Sequence, residues 1–221
     1  MKHTAIFREA NPMVKSAIAE IAAKAVANGI SFILSKEDAV IYSGDTTQTP
    51  CSGYFCGNDQ SGEKILAVAT GKPLKQWLPV LLHESSHMDQ YLEDCDAWKN
   101  IVMPDGTDSS DALFEWIGGK DVENPRDLAI RSLQVELDCE KRTVQKIIDF
   151  GLEDYIEPLE YIQKANAYIY FYLYVLETRK FYTKGNEPYT NAMVWSAAPS
   201  HFAGDYTKIP ELLHEAFRKY M

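Results

Sequence analysis

His83-Glu84-Ser85-Ser86-His87 is the stretch from which the rest of this chain can be interpreted. Residues in a helix advance by about 100° each, so the two histidines lie about 40° apart on one face and about 6 Å apart along the axis. At that spacing two imidazole rings can bind one metal ion. Glu84 lies beside them and can accept a proton from a water bound to that metal. The stretch therefore predicts a metal site on one face of a helix.

The residues on either side of this stretch have the pattern of an amphipathic helix. One stripe is apolar and is predicted to face a core. His83 and His87 lie on the opposite face, open to a cleft, together with Ser86 and Gln90. Pro79 indicates that the regular helix begins there, because proline is favoured in the first turn. The apolar stripe consists of Leu74, Leu78, Leu81, Met88 and Leu92.

A third metal ligand is expected on a second helix, because a zinc site needs at least three protein ligands. The best candidates are carboxylates in residues 127–150, whose apolar periodicity predicts a helix. Glu136 and Glu140 fall on its apolar face, one turn apart. Carboxylates are costly to bury unless they are paired or bound to a metal. These two therefore require a cation or a hydrogen-bonding partner.

The two patterns together, His83-Glu84-x-x-His87 and Glu136-x-x-Cys139-Glu140, resemble the gluzincin metallopeptidases. In that family the second helix often carries a Glu-x-x-Ala-Asp type sequence. The resemblance implies that Glu136 is the third zinc ligand and that Glu140 orients a ligand histidine. Cys139 then takes the place of the small residue, and Glu140 replaces the more usual Asp. The reverse assignment, with Glu140 as the ligand and Glu136 as its support, stays open.

Composition places the chain among soluble globular proteins, with 46% hydrophobic and 24% charged residues. Its net charge of −10 argues against a nucleic-acid partner, because phosphate backbones attract basic surfaces. Residues 1–10 lack the apolar core of an export signal, and the longest apolar run, residues 165–176, is too short to cross a bilayer. We therefore expect a cytoplasmic protein without a membrane partner, whose four cysteines are thiols. The sequence does not indicate an oligomeric state.

The elements of secondary structure are predicted from turn residues and periodicity. A first helix begins at Asn11-Pro12 and ends before Gly29. Four strands are expected, the first two around a turn at residues 36–38 and the last two as a pair. A short helix is predicted near residues 110–117, a buried helix within 155–182 and a last helix after Pro210. The strands are residues 30–34, 39–42, 51–56 and 64–70.

This order predicts an α+β fold of the zincin-like kind. A small mixed sheet packs on the His-bearing helix and the Glu-bearing helix, and further helices follow at the C-terminal end. The layout is similar to that of the compact ImmA/IrrE-type peptidases. We expect one domain over residues 1–221, with its core at about 10–150 and a helical part at about 151–221.

The resemblance implies a zinc-dependent metallopeptidase that acts on a peptide or protein substrate. The histidine pair and Glu136 would hold Zn²⁺, and Glu84 would act as the general base. His201 is the candidate for a helper donor to the oxyanion. The strand around residues 53–57 is the sheet edge on which an extended substrate could pair. The alternatives are a non-catalytic zincin-like metal-binding or protein-interaction module, and a metal hydrolase that cleaves a non-peptide bond.

Overall fold

The computed structural model describes residues 11–42, 49–57 and 62–221. Contacts between these residues divide the chain into two compact units. The first unit comprises the described part of Met1–Glu93 together with Arg142–Ile156, and the second comprises Asp94–Lys141 and Glu157–Met221. The predicted single domain over the whole chain is not tested by this division and stays a prediction.

The first unit begins with helix α1 (Pro12–Ala27). The Asn11 side chain accepts a hydrogen bond from the backbone N–H of Val14 at 3.0 Å, which caps the helix, and Pro12 occupies its first position. Gly29 follows the helix with a φ of +69°, a conformation that glycine adopts without strain. The predicted start and end of this helix are confirmed. Its buried stripe consists of Val14, Ala17, Ile18, Ile21 and Ala25.

Five strands follow: β1 (Ser31–Ser35), β2 (Val40–Ile41), β3 (Pro50–Cys51), β4 (Gly53–Cys56) and β5 (Ile65–Ala69). The main sheet has the order β1-β5-β4, with β1 parallel and β4 antiparallel to β5. All five residues of β5 are buried, since it is the central strand. The predicted pairing of the last two strands is confirmed. The strands on either side of residues 36–38 are β1 and β2, and they do not pair with each other. Instead β1 pairs with β5, and β2 pairs with β3.

Helix α2 (Leu74–Glu93) carries the histidine pair. It begins five residues before Pro79, so the prediction that the regular helix starts at this proline is wrong. Pro79 has no backbone N–H, so α2 lacks one backbone hydrogen bond in its second turn, near its N-terminal end. The neighbouring Trp77 and Leu78 are buried, and their burial favours a helix that extends to Leu74.

Strand β4 is an edge of the main sheet and lies directly against α2. A Cβ atom at Gly53 would lie 2.7 Å from Val80 Cγ1, and one at Gly57 would lie 2.9 Å from the Tyr91 ring. At such distances the Val80 or Tyr91 side chain would have to shift to make room, so glycine is favoured at both positions. The close approach brings the edge strand to the flank of the helix that bears Glu84.

The second unit is helical: α3 (Asp96–Asn100), α4 (Ser109–Ile117), α5 (Pro125–Asp149), α6 (Pro158–Thr178), α7 (Ala192–Trp195) and α8 (Glu211–Tyr220). Helix α5 belongs to this unit up to Lys141, and its last turns belong to the first unit. The predicted helices near 110–117, within 155–182 and after Pro210 are confirmed, whereas α3 was not predicted. Buried residues of α6 form much of the core, which includes Leu133, Ile169, Val175 and Phe217.

The combination of helices with a small sheet is consistent with the predicted α+β class. Within the described part of the chain, every helix is too short or too polar to cross a bilayer. The cellular location stays a prediction.

We predict that the second unit loses stability in alkaline solution. Burial raises the pKa of Tyr206 to about 12 and that of Tyr182 further. In the unfolded chain these phenols titrate near their ordinary value of about 10. Above that pH the unfolded state releases protons that the folded state retains, so the free energy of unfolding falls as pH rises toward about 12. Urea unfolding at a series of alkaline pH values measures the slope, and Tyr206→Phe is expected to reduce it. An unchanged slope in this variant would contradict the assignment.

Candidate metal centre

His83 and His87 lie on one face of α2, as their spacing predicts. Their ring centroids are 4.8 Å apart and the ring planes are perpendicular. His87 Nδ1 is 2.8 Å from Gln90 Oε1. An amide oxygen can only accept, so Nδ1 is the donor in this contact and Nε2 is the ring nitrogen on the other side of the imidazole. The hydrogen bond from Nδ1 to Gln90 favours the tautomer that can bind a metal through Nε2.

The Glu84 carboxylate is held by the backbone of the edge strand. Its Oε2 accepts a hydrogen bond from the N–H of Phe55 at 3.0 Å. Ser52 and Ala69 form a bonded pair between the strands. Bonded and non-bonded pairs alternate in an antiparallel ladder, so the backbone groups of Phe55 point away from β5. Glu84 therefore occupies a donor on the free edge of the sheet.

Helix α5 presents Glu136, Cys139, Glu140 and Thr143 on one face, because they follow one another at intervals of three or four residues. Cys139 is fully buried and Glu140 is only 6% exposed. Oε2 of Glu140 accepts a hydrogen bond from the hydroxyl of Tyr161 at 2.6 Å. The predicted placement of Glu140 on the apolar side of the helix agrees with this burial, and Glu136 is half-buried.

Tyrosine hydroxyls lie near Glu136. Burial raises the pKa of Tyr168 well above its ordinary value, and the negative charge of Glu136 raises it further. The hydroxyls of Tyr168 and Tyr172 are 3.1 Å apart. The Tyr168 phenol therefore stays protonated at neutral pH and can donate a hydrogen bond. These residues were not predicted, although Tyr161, Tyr168 and Tyr172 recur at helical spacing on one face of α6.

Each unit has side chains that could bind a metal ion, within the part of the chain that the structure describes. In the first unit these are His83 and His87 on α2, and in the second they are Glu136, Cys139 and Glu140 on α5. The binding of one metal by His83, His87 and Glu136 together is not tested and stays a prediction. Cys139 was expected only as the small residue of its pattern, and the structure adds it as a possible donor. Imidazole nitrogen, carboxylate oxygen and thiolate sulfur are the donors that zinc takes in proteins.

His201 belongs to neither of these sets. Its side chain is exposed, in the loop after α7, and its backbone carbonyl accepts a hydrogen bond from Asn166 Nδ2 at 2.9 Å. Its predicted role as an oxyanion helper is not tested and stays a prediction.

Polar contacts inside the first unit join α2 to the last turns of α5. The hydroxyl of Thr143 donates to Ser86 Oγ at 3.1 Å. Lys146 Nζ donates to Ser85 Oγ at 2.7 Å and pairs with Asp89 Oδ2 at 2.7 Å. Ser86 was expected on a face open to a cleft, but it is buried against α5, and so is its neighbour Ser85.

Comparisons with protein-family models, with curated proteins and with solved structures find no match to this chain.

We predict that Lys146→Met destabilises the first unit by roughly 1.5–3 kcal/mol, the range for a lost hydrogen bond to a charged group. Its side chain is 15% exposed and Asp89 is 11% exposed, so the carboxylate loses a partner that water cannot fully replace. Lys24 pairs with the same carboxylate at 2.8 Å but is 45% exposed. The matched variant Lys24→Met should therefore cost under about 1 kcal/mol. Urea unfolding measures both, and equal losses would contradict this ranking.

Proposed function

We propose that this protein is a zinc-dependent metallopeptidase of the gluzincin type with a zincin-like fold. His83 and His87 would bind the metal through nitrogen, and Glu136 would bind it through a carboxylate oxygen. Glu140 would support this site and Glu84 would act as the general base. The observation that carries the proposal is the arrangement on α2 of two adjacent imidazoles and a neighbouring carboxylate. The two rings contact each other, and His87 and Glu84 each make a hydrogen bond that orients the side chain.

The direction of the two helices supports a contribution from α5. Thr143 bonds to Ser86, and three residues later Lys146 pairs with Asp89, three residues after Ser86. The last turns of α5 therefore run in the same direction as α2. One turn before this contact, each helix carries a metal-binding side chain: His83 on α2 and Glu140 on α5, with Glu136 one turn further. We infer that the two helices present their ligands to one metal.

The chemistry that follows needs few groups. When bound, zinc supplies a Lewis acid and an acidified water. Glu84 takes up the proton released as water attacks the peptide carbonyl, and then delivers it to the leaving amine nitrogen. The protonated hydroxyl of Tyr168, near Glu136, is a second candidate donor to the oxyanion, in addition to His201.

The main alternative is a non-catalytic zincin-like protein in which the metal only joins two helices. A structural zinc site is closed by four protein ligands and does not need a carboxylate beside a metal-bound water. The orientation of Glu84 by Phe55 favours the catalytic interpretation. A hydrolase for a non-peptide bond would use the same groups, and substrate profiling separates it from a peptidase.

We predict one zinc per chain, to be measured by elemental analysis of the purified protein. His83→Ala is expected to lose the metal, because only two strong ligands remain. Zinc should also raise the melting temperature of the wild-type protein, since binding to the folded state adds stability. Glu136→Ala should abolish tight binding, whereas Glu140→Ala should weaken it by about 10–100-fold, as supporting residues do.

Zinc-free protein whose melting temperature does not respond to added zinc would refute the metal site. A reversed ranking of the two glutamate variants would exchange the roles of Glu136 and Glu140 and leave the site itself intact.

We predict that Glu84→Gln keeps the fold and the zinc but loses at least about 10²-fold in peptide cleavage, because an amide cannot accept the proton. The change is nearly isosteric, and Gln can still accept the hydrogen bond from Phe55. Cleavage of a broad peptide library by wild type and variant measures the effect. Full activity in the variant would remove Glu84 from the mechanism. An inactive but zinc-loaded wild type would favour the non-catalytic alternative.

A further inference from the structure

Tyr161 makes a short hydrogen bond to a carboxylate that is almost completely buried. Its hydroxyl lies 2.6 Å from Glu140 Oε2, and Glu140 is 6% exposed. A buried carboxylate is costly unless its oxygens are hydrogen-bonded. Hydrogen bonds to an ionised acceptor are shorter and roughly twice as strong as neutral ones. The bond from Tyr161 therefore stabilises Glu140 in its place and restricts the rotation of its carboxylate.

The position of the Tyr161 hydroxyl is itself fixed by the start of α6. Glu157 caps this helix by accepting a hydrogen bond from the backbone N–H of Leu159, and Pro158 occupies the first helical position. The N–H of Tyr161 donates to the Glu157 carbonyl at 2.9 Å, and its ring packs against the apolar core of the second unit. A side chain on the first turn of a capped helix is a rigid support, unlike one on a loop.

We propose that Tyr161 is a positioning residue of the metal site: by holding Oε2 of Glu140, it sets the orientation in which Glu140 supports the site. This inference rests on the proposed function, because it needs a metal at the α2 and α5 side chains. Tyr161 acts through Glu140 and does not itself bind the metal or the substrate. Phenylalanine would fill the same space as Tyr161 and lacks only the hydroxyl that bonds to Glu140.

The test compares two Tyr→Phe variants that each remove one hydroxyl from the second unit. Tyr161→Phe removes the bond to Glu140, and Tyr206→Phe removes an equally short bond of 2.6 Å to Asn166 Oδ1. Zinc affinity is measured by competition with a chromogenic chelator, with folding checked by circular dichroism. We expect Tyr161→Phe to weaken zinc binding by about 10–100-fold and Tyr206→Phe to leave it unchanged, although both variants lose thermal stability.

A double variant shows whether Tyr161 acts through Glu140. Glu140→Gln keeps the size of the side chain and is expected to weaken zinc binding by a similar factor. In the Glu140→Gln background, Tyr161→Phe should have little further effect, because coupled residues are not additive. Glu140→Gln also provides a measurement if Tyr161→Phe does not fold: unchanged zinc affinity in Glu140→Gln would overturn the inference.

The outcomes separate this inference from the proposed function. If wild type binds one zinc and Tyr161→Phe binds it equally well, only the role of Tyr161 falls. Equal losses of affinity in Tyr161→Phe and Tyr206→Phe, or fully additive losses in the double variant, also overturn it, since they would indicate general destabilisation. If wild type binds no zinc, the proposed function fails and this inference fails with it.

Discussion

The ion pair between Lys146 and Asp89, together with the bond from Thr143 to Ser86, sets the register between α2 and the last turns of α5. A shift of α5 by one residue would turn all its side chains by about 100°, so Thr143 and Lys146 would lose their contacts with Ser86 and Asp89. Hydrophobic packing alone tolerates such slippage, because apolar contacts have little directionality. Buried polar contacts are directional, and they fix one arrangement at some expense in stability.

Much of the candidate site could be predicted from sequence because its periodicity is local. The spacing of His83 and His87 and the acidic interruptions of α5 are each visible within one helix. The bounds of α1 follow from Asn11, Pro12 and Gly29 for the same reason. The proline at position 79 misled the prediction, since the burial of Trp77 and Leu78 against the body of the protein outweighs the local preference of proline.

The parts that sequence did not predict depend on contacts between distant residues. Ser86 and Gln90 have uncharged polar side chains. Such residues occur both on solvent-exposed faces and in buried polar contacts, so the sequence pattern does not distinguish the two environments. Thr143, which donates a hydrogen bond to Ser86, lies 57 residues away in the sequence. The bond between Glu140 and Tyr161 joins two helices, and the parallel pairing of β1 with β5 joins strands that are separated in the chain by three other strands. No local rule ranks such partners before the chain is folded.

Under the proposed function, the hydrogen bond between Phe55 and Glu84 makes substrate pairing and the proposed base compete for one backbone hydrogen. A backbone N–H has a single hydrogen, so a peptide that extends the main sheet at β4 meets an edge whose donor at Phe55 is already engaged. A guest strand that pairs there in full must displace the Glu84 carboxylate from the N–H of Phe55. A guest strand that leaves the hydrogen bond between Phe55 and Glu84 intact must pair only with the residues on either side of Phe55. In the proposed peptidase, the length and register of the bound segment would thereby decide whether the Glu84 carboxylate is held by the strand or released from it.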